Sequence, residues 1–463
     1  MVRVLRTETW NDSMNIFLTL AAIALGVLLL LTIGCTANRP FRTSVAPCDT
    51  SQAGAACREA VIETAPDYTL GFVEFDDQGW FWNRRQLDAV EKMIRAEAGL
   101  DQPTNAQGIV IVLFLHGWKN NASYDNENVG MFRATLKELN KAEQVQSSLA
   151  TRKARKIVGV YAGWRGLSAT LEPFKELSFW ERKNTAQEIG HGAMTELLAV
   201  LENLQTASNK ARGPGAPRTE LIIVGHSFGG AAVYSAISQI VTERFVDTIE
   251  HGVPLKPLGD VVILLNPAFE ASRHYNLNEL AVSISHYPES QRPVLAIFTS
   301  EGDWATHYAF PIGRFFSTIF QRQRHDKPQG AANRKAVGWF KPFITHELIY
   351  DAKAKVNSTG HTTLNPQTQE HQPHDQQKLQ ASIRNVDSQR QKWHPNAATP
   401  ATYSFDDCTL NPKASFRPGD PFMIVSVDKK IMSGHNDITN PILINFLREF
   451  VLFCQTNPLQ HQE

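Results

Sequence analysis

The residues best suited to chemistry lie between Leu221 and Ala236, LIIVGHSFGGAAVYSA. At the centre is Gly225-His226-Ser227-Phe228-Gly229, a serine with glycine two places away on either side, and Gly230 directly behind. A serine hydroxyl is a poor nucleophile until a base takes its proton and donors receive the oxyanion that forms. A serine on a sharp strand-to-helix turn can be served by both. Its backbone is then strained, and its neighbours must be almost free of side chains so that the helix packs back on the strand. The start of the helix also favours developing negative charge. By composition alone the five-residue pattern arises in roughly one chain of this length in six. Its setting gives it weight: an apolar strand precedes it and a helix of small residues follows.

The elements that must hold such a turn read as an alternation. Tyr68 to Phe75 is a first strand, turned by Asp76-Asp77-Gln78-Gly79. Arg84 to Ala98 carries Leu87, Val90, Met93 and Ile94 at helical spacing. Gly108 to Leu115, GIVIVLFL, is continuously apolar, as in strands covered on both faces. It ends in His116-Gly117-Trp118-Lys119-Asn120. A helix over Asn128 to Leu139, a strand over Lys156 to Ala162 closed by Gly163-Trp164-Arg165, and a long helix over Phe179 to Leu204 follow. Beyond the breaker Gly213-Pro214-Gly215 and the serine turn come strands at Asp260 to Leu265, Pro293 to Thr299 and Phe422 to Val427. A helix over Pro441 to Phe450 comes last. This alternation predicts an α/β fold, a mostly parallel doubly wound sheet with helices on both faces.

One region breaks the rhythm. Ala309 to Ile344 is dense in aromatic residues (Phe310, Phe315, Phe316, Phe320, Trp339, Phe340, Phe343), and Lys355 to Thr402 is polar. A cap or insertion is expected at about 305–420, its first part near the site and its second a flexible excursion. The competing expectation is that both merely elaborate the sheet edge. His361, His371 and His374 lie in this polar stretch and read as solvated rather than metal-binding. With no C-x-x-C or Cys/His pattern, no metal site is expected.

With 463 residues, 42% hydrophobic and 20% charged, the chain has material for a sizeable core, and its formal net charge of zero offers nothing to nucleic acid. Ile16 to Ile33 is uninterrupted and uncharged, with Arg3 and Arg6 upstream. A run of this length borders between a signal-peptide core and a membrane span. Gly34-Cys35 resembles the modification site of a bacterial lipoprotein, although Thr32 and the acidic Glu8 and Asp12 depart from that pattern. Residues 1–35 are therefore expected to be a signal, lipoprotein signal or membrane anchor. Residues 36–65, rich in Ala, Thr and Ser, are expected to be a tether, and 66–455 the main domain. Both readings of the N-terminus place that domain outside the cytoplasmic membrane. Cys48 and Cys57 flank a small-residue loop and could bridge in an oxidising compartment.

Over roughly Tyr68 to Phe453 the chain resembles α/β-hydrolases of the serine lipase/esterase type. The resemblance rests on Leu115-His116-Gly117-Trp118, on GHSFGG from Gly225 to Gly230, and on a late histidine. It implies the α/β-hydrolase fold and catalytic partners in the order serine, acid, histidine. The late histidine is His435, in Ser433-Gly434-His435-Asn436-Asp437, past the last strand. His461, His274 and His286 fit that place less well. The acid is expected at Asp303, in Ser300-Glu301-Gly302-Asp303-Trp304, where Gly302 leaves room for a tight turn. Glu301 in the same turn and Glu270, just past Leu264-Leu265-Asn266-Pro267, remain open as rivals. The acid would fix the imidazole tautomer and stabilise its charged form. Oxyanion donors are implied on the backbone of Phe228 and, by resemblance, of Trp118, which would also wall an acyl pocket. His116 would brace its loop and His226 would pack.

The implied activity is hydrolysis of a carboxylic ester through an acyl-enzyme on Ser227, by a membrane-attached, extracytoplasmic enzyme (periplasmic or cell-surface) without metal or organic cofactor. The expected substrate is a small-molecule ester or lipid, and the aromatic cap suggests an apolar acyl or aromatic group. Thioesterase, peptidase and acyltransferase chemistry share the same machinery and stay open. A non-catalytic binding protein on the same scaffold would lack a member of the set, and none is missing.

Overall fold

The computed structural model describes residues 17–22, 36–52, 55–101, 106–168, 174–213, 215–318, 327–352 and 373–455. Twelve strands form one sheet: β1 (Cys48–Asp49), β2 (Ile62–Thr64), β3 (Thr69–Phe75), β4 (Ile109–Leu115), β5 (Lys156–Trp164), β6 (Glu220–His226), β7 (Val261–Leu265), β8 (Leu295–Ser300), β9 (His346–Tyr350), β10 (Tyr403–Phe405), β11 (Cys408–Pro412) and β12 (Phe422–Val427). Their spatial order is β1-β2-β3-β5-β4-β6-β7-β8-β12-β9-β11-β10. From β3 to β9 every neighbouring pair is parallel. Antiparallel pairs are confined to the two margins.

The continuous apolar run of β4 shows why the sheet needs cover on both faces. Ile109, Ile111, Leu113 and Leu115 face one core, and Val110, Val112 and Phe114 face the other. The first core is closed by α1 (Arg84–Glu97), α3 (Phe174–His191), α4 (Ala193–Ala211) and α5 (Phe228–His251). The second is closed by α2 (Glu127–Leu149), α9 (Pro373–Gln391) and α10 (Pro441–Cys454). Each fully buried aliphatic side chain in these layers contributes about 1.5–3 kcal/mol relative to exposure. Asparagine starts three of the helices: Asn83, Asn126 and Asn440 each accept a hydrogen bond from the backbone two residues on.

From β4 the chain steps to one side for β5 and then crosses to the other side for β6. The reversal opens a crevice beyond the carboxyl ends of β4 and β6, where sheets of this kind bind ligands. Three further α-helices are short: α6 (Tyr275–Ser283), α7 (Phe310–Ser317) and α8 (Lys327–Ala332).

Four expectations change. Residues 36–65 are not a free tether. They form the first margin of the sheet, and Arg42 is 0% exposed, paired with Glu63 at 2.8 Å and stacked over Phe72. The backbone of Phe41 and Arg42 donates to Glu74. The polarity that reads as solvation is here a buried, paired network, whose partners lie far apart in sequence. Second, the insertion expected at about 305–420 is two things. Ala305 to Ala309 and α7 follow the carboxyl end of β8 and Ala336, Val337, Phe340 and Phe343 are buried in the first core, whereas β9 to β11 extend the sheet. Third, α9 is no flexible excursion: it packs on α2 and α10, Val386 is buried, and Ser382 donates to Glu449. Residues 353–372, with His361 and His371, lie outside the described residues, as do Phe320 and the side chains of Phe316 and His374. Fourth, the long helix expected over Phe179 to Leu204 is broken into α3 and α4 at Gly192, whose ψ of −129° is not helical.

Cys48 and Cys57 are joined in a disulfide, with Cα atoms 5.4 Å apart. Among the described residues no helix is long and apolar enough to cross a membrane. The apolar run Ile16 to Ile33 lies outside the described residues except for 17–22, and Cys35 lies outside them too.

Candidate active site

Ser227 sits between β6 and α5 with φ 55° and ψ −120°, a left-handed conformation rarely adopted by a residue with a side chain. The strain is held from both sides: its N–H donates to Leu265 O, and its carbonyl accepts from Ala231 and Ala268. The loop after β4 presses against it. A Cβ on Gly117 would lie 2.7 Å from Ser227 Cβ, so only glycine lets that loop approach.

His435 hangs from the loop between β12 and α10. Its Nε2 is 2.7 Å from Ser227 Oγ, and its Nδ1 is 2.9 Å from Asp303 Oδ2. Asp303 lies three residues beyond β8 and is 1% exposed. It accepts hydrogen bonds from the Thr306 backbone, at 3.1 Å, and from the Thr306 hydroxyl. Burial by itself would raise the Asp303 carboxyl. Hydrogen bonds and attraction from His435, with the two bonds from Thr306, outweigh it and hold the group below the usual carboxylate range. Asp303 is therefore ionised and the Nδ1 proton of His435 is fixed toward it, leaving Nε2 toward the serine. The acid and histidine loops meet because residue 302 is glycine: a Cβ there would fall 2.0 Å from Ser433 O.

Of the three carboxylates weighed for this role, Asp303 alone is hydrogen-bonded to His435. Glu301 is exposed and accepts from Ser426 at 3.3 Å. Glu270 is buried among Lys183 Nζ at 2.6 Å, Arg314 Nε at 2.9 Å and Arg273 Nε at 3.0 Å. Burial would raise its carboxyl, but these cations hold it below the usual range. Of the rival histidines, His274 is buried against Tyr234 at 3.1 Å, His286 is exposed, and His461 lies outside the described residues.

The loop after β4 is braced as a unit. His116 accepts from Trp164 N at 3.0 Å and is paired with Gly117 O at 2.9 Å. Burial pushes its pKa down to about 4, so it is neutral. Phe228 opens α5, and its N–H is one of the donors a helix start leaves free. The Trp118 ring stands edge-on to Phe179, centroids 5.3 Å apart, and Phe179 lies 4.7 Å from Phe228. Trp180 continues this wall to Phe310 of α7, at 6.1 Å. Ser227 is 3% exposed beneath these residues.

Residues not singled out for this site from the sequence also shape it. Asn266, just after β7 with φ 44°, is fully buried. Its amide nitrogen donates to His435 O at 2.9 Å and Gly434 O at 3.2 Å, and its oxygen accepts from Ser300 N at 2.8 Å. His226, expected only to pack, lies with Nε2 2.8 Å from the same His435 carbonyl. A carbonyl only accepts, so Nε2 carries the proton, and burial pushes the His226 pKa down to about 3. Trp339 Nε1 donates to Thr306 Oγ1 at 2.9 Å, backing the acid from the cap. The signal for Asn266 was present: asparagine tolerates the left-handed region, and it stands at the end of an apolar strand before Pro267. Thr306 and Trp339 left none, since their contact spans 33 positions.

Among the described residues, no three His, Cys, Asp or Glu side chains gather as a metal site. No protein-family model matches the chain, and no curated protein is significantly similar to it.

Proposed function

We propose that the chain is a membrane-attached serine hydrolase of the α/β-hydrolase fold that cleaves carboxylic esters. The observation that carries this is the continuous chain Ser227 Oγ, His435, Asp303, at 2.7 and 2.9 Å. Ser227 attacks the ester carbonyl while His435 Nε2 takes its proton. The ionised Asp303 stabilises the imidazolium that forms, and the backbone N–H groups of Phe228 and Trp118 receive the oxyanion. His435 then gives the proton to the leaving alkoxide. A water activated by the same nitrogen releases the acyl group from Ser227. The aromatic wall of Trp118, Phe179 and Phe228 supports an apolar acyl group. The Cys48–Cys57 bridge supports an oxidising, extracytoplasmic compartment, with the run Ile16 to Ile33, or a lipid on Cys35, as the attachment.

A fluorophosphonate probe tests the reading directly. The purified protein should be labelled once, at Ser227, and Ser227→Ala should be silent to the probe and to ester substrates. An unlabelled Ser227 in folded protein would sink the proposal.

A further inference from the structure

The link between the membrane attachment and the folded domain is short. Thr36 is already fixed: its N–H donates to Ser168 O at 2.9 Å, its hydroxyl donates to Leu167 O, and its carbonyl accepts from Arg165 Nη1 at 3.3 Å. The apolar run ends at Ile33, and the alternative lipid site, Cys35, is the adjacent residue. Three residues span at most about 11 Å and one residue about 4 Å, whatever their conformation. Either mode of attachment therefore brings the bilayer close to the point where Thr36 is held.

That point is on the carboxyl edge of the sheet. Arg165 and Ser168 belong to the loop after β5, which is parallel to β4 and, across it, to β6, and so leaves the sheet at the same edge as Ser227. Arg165 pairs with Asp77 in the turn after β3, and three residues further on Trp80 is 70% exposed. The cap adds a stripe on the same edge. Trp304, Tyr308, Ile312 and Phe315 are 66, 53, 60 and 51% exposed, at spacings of four, four and three residues. No carboxylate and no lysine lies between Trp304 and Phe315, and the guanidinium of Arg314 is turned inward to Glu270. Most of the area such a stripe holds in water is apolar, and removing it from water is favourable. Aromatic and aliphatic side chains standing together at the edge nearest a bilayer match the membrane–water interface.

We infer that the catalytic edge faces the membrane that carries the chain, with Trp80, Trp304, Tyr308, Ile312 and Phe315 seated in its interface, and that the substrate is an amphiphilic ester of that membrane. The inference rests on the serine-hydrolase reading for its substrate and on the N-terminal attachment for its orientation. The ester bond of a lipid in the facing leaflet needs to rise only a short way to reach Ser227. A water-soluble ester must enter from the rim.

Photo-crosslinking of the full-length chain in vesicles of phosphatidylcholine and phosphatidylglycerol tests the orientation without relying on activity. A benzophenone side chain replaces Ile312 in one protein and Ile249 in another. Ile249 is 43% exposed near the far end of α5, about 32 Å along the helix from Ser227. Lipid adducts should form at position 312 and be absent at 249. Equal adducts at both positions, adducts at 312 to a second copy of the chain, or none at 312 would overturn the inference. In parallel, the double variant Ile312→Ser, Phe315→Ser should lose about tenfold or more on a vesicle-embedded long-chain ester. On a soluble short-chain ester it should stay within about twofold of wild type. An unchanged rate on the embedded ester would count against the substrate assignment. If position 312 captures lipid but wild type cleaves neither ester, the hydrolase reading fails and the orientation stands.

Discussion

Two turns leave adjacent strands at the same edge, and each carries a deeply buried carboxylate. After β7 comes Glu270, 2% exposed, and after β8 comes Asp303, 1% exposed. Depth does not separate them; their partners do. Glu270 is surrounded by Lys183, Arg273 and Arg314, which belong to α3, its own turn and α7. Its charge is fully engaged in tying the cap to the core. Asp303 is held by the neutral hydroxyl and amide of Thr306, and its remaining oxygen capacity points at His435. A carboxylate that steers an imidazole needs neutral supports, because a fixed cation would compete with the imidazolium for the same charge.

Exchanging each acid for its amide separates the two roles. Asp303→Asn should lower kcat on a soluble ester by about 10³–10⁴-fold, because the amide favours the wrong tautomer of His435. Glu270→Gln should leave kcat within a few-fold. It should cost about 3–5 kcal/mol of stability in urea melts, because three cations lose their buried counter-charge. If the second variant loses activity as the first does while its melt is unchanged, the assignment of roles is wrong.

The supports give smaller effects. Thr306→Val keeps the backbone bond to Asp303 but removes the hydroxyl that also accepts from Trp339. A fall in kcat of about tenfold is expected, with KM little changed and recovery in Thr306→Ser. No recovery with serine would mean that the methyl group, rather than the hydroxyl, is what matters.

Acid adds a test at equilibrium. His226 and His116 are held neutral in the fold, with pKa values near 3 and 4, against about 6.5 in the unfolded chain. The unfolded state therefore binds protons first. Their stabilisation is complete above about pH 6.5 and is lost progressively as pH falls toward the folded values. Stability should fall by about 1.4 kcal/mol per pH unit for each of them below pH 6. In His226→Gln that slope should be shallower by about one proton, read as denaturant midpoints between pH 7 and pH 5. An unchanged slope would show that His226 is not a buried neutral group.

The parallel sheet was legible because its strands are continuous apolar runs, which only a doubly covered sheet tolerates. Phe422 to Val427 was placed to the residue. Ser227, His435 and Asp303 were legible as types at the ends of such runs, while Glu301 and Glu270 could not be set aside by spacing. What separates them is which side chains converge on each carboxylate, and those contacts span 132 positions for Asp303 and 87 for Glu270. The same limit explains the segment 36–65. Arg42 and Glu63 are polar in any local window, yet paired they are core. The margin β9 to β11 was missed because its strands are short and polar on alternate positions, so they carry none of the signal that betrays the centre.

Asn266 has a further consequence, in the lifetime of the protein. Its amide oxygen accepts from Ser300 at the end of β8, just before Asp303, and its nitrogen donates to the loop of His435, so the two are spaced by one planar group. Slow hydrolysis of that amide to a carboxylate would set an oxygen against two carbonyls and force the loops apart. The usual route to such ageing begins when the next residue's backbone nitrogen attacks the side chain. Here the next residue is Pro267, which has no N–H to lose. The residue that spaces acid from base is followed by the one amino acid that leaves that clock unwound.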